Sequence, residues 1–400
     1  FLEAAASLAL RAGVKISVDR ELLPRDAERL AMRAANEFAA EHYHEVLKSA
    51  PSAEAARRYV AERRLTAASV ERFHLGYAPR NGNLACAALK KGFTEETLIK
   101  AGLAAKRADG TLRDHFFDRL MFPIRDVKGA FVGFGGRTLG SGEPKYLNSP
   151  ESPVFSKGRV LYGLYEGLAE TRKARRAHLM EGYMDVIASH QHGLKTACAP
   201  LGTALTVEHA ALIKRYADAV AIVFDADAAG QTAAVRGAEV ALESGLLTRI
   251  ATVAEGKDPD EFLHARGLAA FQTSLDAAVA LVAFKTELLI ARAGPLSAEA
   301  KSAIAHDVLA TIKKCPDNVL KDRWVVRVAG RLGLSEDALR SLGGKAIPAP
   351  RRRAVPSSPE LAPLVKRADL STKDIKILSH LVNAPEMAEE LQDDDVQSAA

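Results

Sequence analysis

The chain has 400 residues, 48% of them hydrophobic, which is enough for two or three domains with ample cores. A formal charge of +5 and a pI near 9.0 lean towards an anionic partner. Its three cysteines, Cys86, Cys198 and Cys315, lie in no CxxC and beside no metal-spaced His, which argues against a zinc site and for a reducing compartment. No apolar run is long enough to span a bilayer, no signal peptide opens the chain, and Phe1 in place of Met suggests an excised fragment.

Residues 25 to 105 read mostly as helices. Ala27 to Leu47 has helical periodicity, and Ala53 to Arg64 opens after Pro51-Ser52. Arg57, Arg58, Arg63 and Arg64 are read as a solvated helix face in preference to a phosphate-binding one. In the phrase Phe73 to Pro79 the aromatic residues are expected in the core. From Arg113 to Arg159 the texture changes to short strands and turns: Met121 to Arg125, Ala130 to Gly135 and Lys145 to Leu147 are predicted strands, with Lys128-Gly129 a turn. Arg119, Arg125, Arg137, Lys145, Lys157 and Arg159 recur here at wide spacing, as polyanion binding through counterion release requires. For Arg125, beside Asp126, an ordinary basic surface is the preferred reading. Gly133 to Gly136 either cradle a phosphate or let backbone approach closely, and no helix follows to favour the first. Tyr146 is read as buried in preference to stacking on a base, and for Asn148 and Ser149, between Pro144 and Pro150, a turn role is the alternative to a polar contact.

Four apolar runs follow: Ala177 to Met180, Thr196 to Pro200, Ala219 to Phe224 and Arg249 to Val253. Between them lie helical segments, Tyr183 to His192, Val207 to Tyr216 with Thr206 as N-cap, and Ala229 to Glu243. Short apolar runs alternating with helices predict βαβ units and a parallel sheet buried on both faces, with ligands beyond the carboxyl ends of the strands. Acidic residues sit at those ends: Glu181 and Asp185, then Asp225 and Asp227, then Asp258 and Asp260. Singly they have ordinary readings, Asp185 as a first-turn helix residue and Asp258 and Asp260 as a turn around Pro259. Grouped at successive strand ends they repel one another unless a cation neutralises them, and oxygen ligands suit magnesium or manganese. His190, His192 and His209 are read as surface or helix-packing residues. Further helices are predicted over Leu275 to Ala293, Ser297 to Lys314, Leu320 to Leu332 and Ser335 to Leu342, with Trp324, Val325, Val328 and Leu332 on one packing face. Residues 346 to 363, rich in Pro and Ser and carrying Arg351 to Arg353, read as a flexible linker.

The order EGYMDV (181 to 186), LGTALT (201 to 206), FDADAAG (224 to 230) and KDPDE (257 to 261) resembles the Toprim domain of bacterial primases, type IA and II topoisomerases and some nucleases. Ahead of it stand RLMFPI (119 to 124), GFGGR (133 to 137), PKYLNSP (144 to 150) and LYGLY (161 to 165), and in that order the phrases resemble the DnaG-type bacterial primases along nearly the whole chain. The resemblance implies an α/β fold, with a Toprim (Rossmann-like, parallel-sheet) core, a mixed α+β N-terminal subdomain and a C-terminal helical subdomain. The expected divisions are 1–20, the remnant of a zinc-ribbon linker; 21–174, the primase-specific subdomain with a basic groove; 175–265, the Toprim domain; 266–345, a helical bundle; 346–366, the linker; and 367–400, the incomplete start of a helicase-binding domain.

As function the resemblance implies a DNA-directed RNA polymerase making short primers on single-stranded DNA from ribonucleoside triphosphates. Glu181, Asp225 and Asp227 would be catalytic and hold Mg2+ or Mn2+, with Asp185, Asp258 and Asp260 sharing or supporting the metal. Zinc would belong only to the missing N-terminal ribbon. Arg119, Arg137, Lys145, Asn148 and Lys157 would line the template and nucleotide groove, and Gly182, Gly202 and Thr203 the pocket floor. The implied partners are the replicative helicase, through the C-terminal segment, and single-stranded-DNA-binding protein. A cytoplasmic monomer at the replication fork, away from any membrane, is expected. The chain departs from the family pattern at Ala226 and Arg64, where Gly is usual, and at Phe117, where a basic residue is common. Another Toprim enzyme, a nuclease or topoisomerase, is the alternative, although no Tyr stands in a recognisable DNA-gate setting. A non-catalytic DNA- and helicase-binding module is the other, and both rank well behind primase.

Overall fold

The computed structural model describes residues 24–140, 142–224, 228–253 and 258–342, so the expected segments 1–20, 346–366 and 367–400, and Asp225, Ala226 and Asp227, lie outside the described residues. The first helix among the described residues, α1 (Pro24–Ser49), buries a stripe of Met32, Ala35, Ala39 and Tyr43 at helical spacing. Next come α2 (Glu54–Glu62) and α3 (Ala67–Arg72), the latter capped by Thr66, whose side chain accepts from Ser69 N. Arg64, between them, has φ 53°, a left-handed conformation in which the usual glycine is replaced by a residue with a Cβ. The 73–79 phrase forms the buried strand β1 (Gly76–Ala78), with the aromatic residues Phe73 and Tyr77 in the core as expected. Helices α4 (Leu84–Lys90) and α5 (Glu95–Lys100) lead to a two-stranded ribbon, β2 (Ala104–Lys106) and β3 (Leu112–Asp114).

An antiparallel sheet in the order β1-β4-β5-β6 then gathers β4 (Arg119–Arg125), β5 (Phe131–Thr138) and β6 (Tyr146–Asn148). Two-residue alternation sends Leu120, Phe122 and Ile124 into one core with Tyr183 and Ile187, and Met121 into the other with Tyr43 and Phe134. This sheet is therefore the layer between the N-terminal helices and the second sheet. Gly133 to Gly136 lie within β5, their backbones engaged with β4, so they form no phosphate cradle. They permit close approach instead: a Cβ on Gly135 would collide with the Tyr183 hydroxyl.

After α6 (Leu168–Ala174), the acidic half of the chain builds β7 (Arg176–Leu179), α7 (Tyr183–Gln191), β8 (Ala197–Cys198), α8 (Val207–Lys214), β9 (Ala219–Phe224), α9 (Ala228–Glu243) and β10 (Leu247–Thr252). Strands β10, β9, β7 and β8 are parallel neighbours in that order, as the alternating pattern requires. Thr206 caps α8 as expected, accepting from His209 N.

Helix α10 (Pro259–Asp276), broken at Gly267, is followed by the short strand β11 (Val279–Ala280) and then by α11 (Leu281–Ala293). The single helix expected over Leu275 to Ala293 is thereby corrected. Residues 279–280 pair antiparallel with β10 and close the sheet edge, and Arg249 Nη1 donates to Ala278 O at 2.9 Å, so sheet pairing overrides the helical preference of the alanines. The expected boundary after residue 265 falls inside α10, and β11 adds a strand from beyond it to the parallel core. The last helices among the described residues are α12 (Ala298–Lys314), capped by Ser297, α13 (Asn318–Leu332), capped by Asp317, and α14 (Glu336–Leu342). Val325, Val328 and Leu332 are buried as the spacing predicts, and Trp324 packs against the core. Among the described residues no helix is long and apolar enough to cross a membrane.

Candidate active site at the carboxyl ends of the parallel strands

Parallel strands end on one side of their sheet, so the carboxyl ends of β7, β8, β9 and β10 share a rim. Glu181 stands two residues after the end of β7 and is exposed. Gly182 is the N-cap of α7, where its extended backbone (φ −141°, ψ 176°) sets the helix entry. Asp185 is buried at the third position of that helix, and its Oδ2 accepts from Gly182 N at 3.1 Å. Its Oδ1 accepts from Asp260 N at 3.4 Å, joining the β7 and β10 segments across 75 residues of chain. The first-turn reading of Asp185 is thus correct, and the residue also holds a second loop in place.

Asp258 caps α10, accepting from Glu261 N at 2.8 Å, with Pro259 in the first turn. Asp260 is buried between two basic side chains: Oδ2 lies 3.3 Å from Arg63 Nη1 and Oδ1 3.3 Å from His264 Nε2. Burial pushes its carboxyl above the usual carboxylate range, with Asp258 adding to the rise and His264 and Arg63 opposing it. Among the described residues no three Asp, Glu, His or Cys side chains gather as a metal-holding group. The donors at this rim are nonetheless carboxylate oxygens, a set that fits a hard divalent cation better than a thiophilic one.

Arg63, read from sequence as part of a solvated face, is instead the partner of Asp260, and its Nε donates to Tyr59 Oη at 2.9 Å. The i, i+4 pairing of Tyr59 with Arg63 was the available signal, but its target lies 197 residues away. Arg57 and Arg58 keep local partners, the carbonyls of Leu47 and Ala50 and the carboxylate of Glu54. Arg137 extends from β5 with its guanidinium 4.2 Å from the Tyr59 ring centroid and 5.8 Å from that of Tyr146. Its Nε and Nη1 are buried without a hydrogen-bond partner among the described residues. Burial raises the Tyr146 phenol, Arg137 and Arg63 pull it down, and Asp185 and Asp260 push it up, so the two cations and two carboxylates of this rim converge on one ring.

The other groove residues divide. Arg119 is buried and its Nη1 donates to Gly136 O at 3.0 Å and Pro144 O at 2.9 Å, so it braces the sheet. Lys145 is exposed at the start of β6. Lys157 is half-buried, its carbonyl accepting from His209 Nε2 at 2.8 Å. Burial lowers His115, and the nearby charges of Arg113, Arg119 and Lys157 lower it further, which shows the cations sharing one neighbourhood. Asn148 does not act as a turn residue. Its Oδ1 accepts from Tyr183 Oη at 2.6 Å and its Nδ2 donates to Leu201 O at 2.9 Å. Gly202 (φ 70°) and Thr203 follow, both exposed in the loop after β8. His190 and His209 are buried packing residues, as read, while His192 meets His264 edge-on at 5.1 Å between ring centroids.

This chain is similar to known proteins along most of its length. Residues 42–168 match the family model for the N-terminal domain of the DNA primase catalytic core, and residues 178–263 match the Toprim-like model. The DNA primase of Halalkalibacterium halodurans is 36% identical over 351 residues, which covers 85% of this chain and 57% of that protein. The chain thus spans little more than half the length of the curated relatives it matches. Among solved structures, the catalytic domain of a DnaG primase bound to single-stranded DNA is 34% identical with a TM-score of 0.71, covering 78% of this chain and 99% of that one. A DNA primase domain from Pseudomonas aeruginosa superposes with a TM-score of 0.71 at 37% identity, again covering 78% of this chain and 99% of that one. With a solved primase domain matched end to end at this identity, the chain belongs to the DnaG-type family of bacterial DNA primases.

Proposed function

We propose that this chain is a primase catalytic core, a DNA-directed RNA polymerase that makes short RNA primers on single-stranded DNA by metal-dependent nucleotidyl transfer. The observation that carries the reading is the meeting of acidic loops from the parallel sheet with arginines from the N-terminal layer, seen in the Arg63–Asp260 pair and in Arg137 beside Tyr146. Such a rim can hold a polyanion on one side and a cation on the other.

Glu181, Asp225 and Asp227 are the residues that would hold Mg2+ or Mn2+, and the cation when bound supplies positive charge to phosphate oxygens and lowers the pKa of an attacking hydroxyl. Asp185, Asp258 and Asp260 support this set by capping α7, capping α10 and joining the two loops. Glu181 accepts the proton of the 3′ hydroxyl as it attacks the α-phosphate of a ribonucleotide, and pyrophosphate leaves. Arg137, Lys145 and Lys157 neutralise backbone and triphosphate charge, Arg119 braces the backbone beside Arg137 and Lys145, and Asn148 with Gly182, Gly202 and Thr203 shapes the nucleotide pocket. Residues 21–174, 175–265 and 266–345 serve as the groove, Toprim and helical parts of this machine. Residues 346–366 and 367–400 connect it to the replicative helicase, with single-stranded-DNA-binding protein a further partner of a cytoplasmic, monomeric enzyme at the fork.

Labelled ribonucleotide incorporation on single-stranded DNA tests this, with and without Mg2+ or Mn2+, for the parent, Asp225→Ala and Glu181→Ala. Short RNA that needs the metal and both carboxylates is expected. Template cleavage would replace the proposal by a Toprim nuclease, and metal-independent DNA binding without turnover by a recruiting module.

A further inference from the structure

Three segments of the candidate site come from distant parts of the chain: β6 with Asn148, the α7 N-terminus next to Glu181, and the loop after β8 that carries Gly202 and Thr203. Two hydrogen bonds join them. The Tyr183 hydroxyl donates to Asn148 Oδ1 at 2.6 Å, and Asn148 Nδ2 donates to Leu201 O at 2.9 Å. The Leu201 carbonyl determines which way the amide faces, because a reversed amide would set its oxygen against that carbonyl oxygen, and the Tyr183 hydroxyl then donates to the amide oxygen that remains. Tyr183 itself has little freedom. Its ring is buried, stacks on Phe122 at 4.8 Å and meets Tyr162 edge-on at 4.7 Å. The glycine at 135 leaves the space its hydroxyl occupies. Leu201 O, by contrast, stands at the start of a loop whose next three residues, Gly202, Thr203 and Ala204, are exposed.

We infer that Tyr183 is a positioning residue for the Leu201–Thr203 loop, acting through the Asn148 amide. The inference rests on the proposed function for its catalytic consequence only. A rigid aromatic stack holds the phenol, the phenol orients the amide, and the amide holds the loop at the distance from Glu181 that the reaction uses. Small displacements of a pocket wall slow a reaction without abolishing ligand binding. The relay therefore acts on the rate of transfer more than on the hold on template.

Tyr183→Phe removes the hydroxyl and keeps the ring. It should lower ribonucleotide incorporation by about tenfold, leave the Kd for single-stranded DNA unchanged, and speed hydrogen exchange in the peptide containing Gly202 and Thr203. Asn148→Asp keeps the acceptor for Tyr183 and loses the donor to Leu201, so it should show the same faster exchange. In an Asn148→Ala background, Tyr183→Phe should have no further effect on rate or exchange. Unchanged exchange in Tyr183→Phe, additive effects in the double variant, or a loss of template affinity that matches the loss of rate would each overturn the inference. A parent protein that makes no RNA would overturn the proposed function instead, and the exchange comparison would still decide the relay.

Discussion

Glu239→Gln probes how the helices beyond the parallel sheet are held to it. Glu239 Oε1 accepts from Lys285 Nζ at 2.8 Å and from Thr311 Oγ1 at 2.5 Å, and Oε2 accepts from Lys314 Nζ at 2.8 Å. Lys285 also pairs with Asp307 at 2.7 Å, so α9, α11 and α12 meet in one network. The side chains of Lys285 and Glu239 are only 10% and 16% exposed. Burial by itself raises the Glu239 carboxyl, but hydrogen bonds from Lys285, Lys314 and Thr311 outweigh it and bring the pKa from 4.5 to about 2. At 1.36 kcal/mol per unit such a shift corresponds to about 3 kcal/mol. Solvent reaches the Lys314 side, whose side chain is 38% exposed, and screening there reduces the figure to about 2 kcal/mol. Breaking a buried pair typically costs about 3–5 kcal/mol, and the contacts that Lys285 keeps with Asp307 and Thr311 favour the smaller number. Because the folded-state pKa lies below the unfolded one, this contribution is complete above pH 4.5 and is lost as pH falls towards 2. Urea denaturation of the parent and Glu239→Gln at pH 7, 5 and 3 would measure it, the expected gap being about 2 kcal/mol at neutral pH and narrower at the lowest. A gap below about 0.5 kcal/mol at pH 7, typical of an exposed pair, or one that stays constant with pH, would refute the reasoning.

Three further outcomes follow from single contacts. Arg64→Gly should raise stability by about 0.5–1 kcal/mol in thermal unfolding, because a left-handed φ of 53° penalises a residue with a Cβ. Tyr162→Phe should be neutral or stabilising by up to about 1 kcal/mol, since the Tyr162 hydroxyl is buried without a hydrogen-bond partner among the described residues. A loss greater than that in Tyr162→Phe would mean that the hydroxyl has a partner. Burial presses His178 and His190 to about 4. Both must stay neutral in the folded state, so stability should fall as pH drops from 6.5 towards 4 and then level off in their contribution. Denaturant midpoints across that range, with His178→Leu showing a shallower slope, would check it.

Much of this molecule could be read along the chain because its causes are local. Thr206 and Ser297 cap their helices through bonds to residues three positions on. The apolar runs at 177–180 and 219–224 became parallel strands because such runs, separated by helices, bury both faces. The positions of Glu181, Asp258 and Asp260 at strand ends were legible for the same reason. Tertiary structure alone decided the assignments that depend on distant partners. Arg63 joins the candidate site because folding brings it to Asp260, 197 residues away. Asn148 became a link between Tyr183 and Leu201, and Arg119 a brace across β5, because a polar side chain's role is set by the donors and acceptors that burial leaves within reach. Residues 277–280 left the helix their alanines favour because an unpaired strand edge beside them offered hydrogen bonds that sequence spacing does not encode.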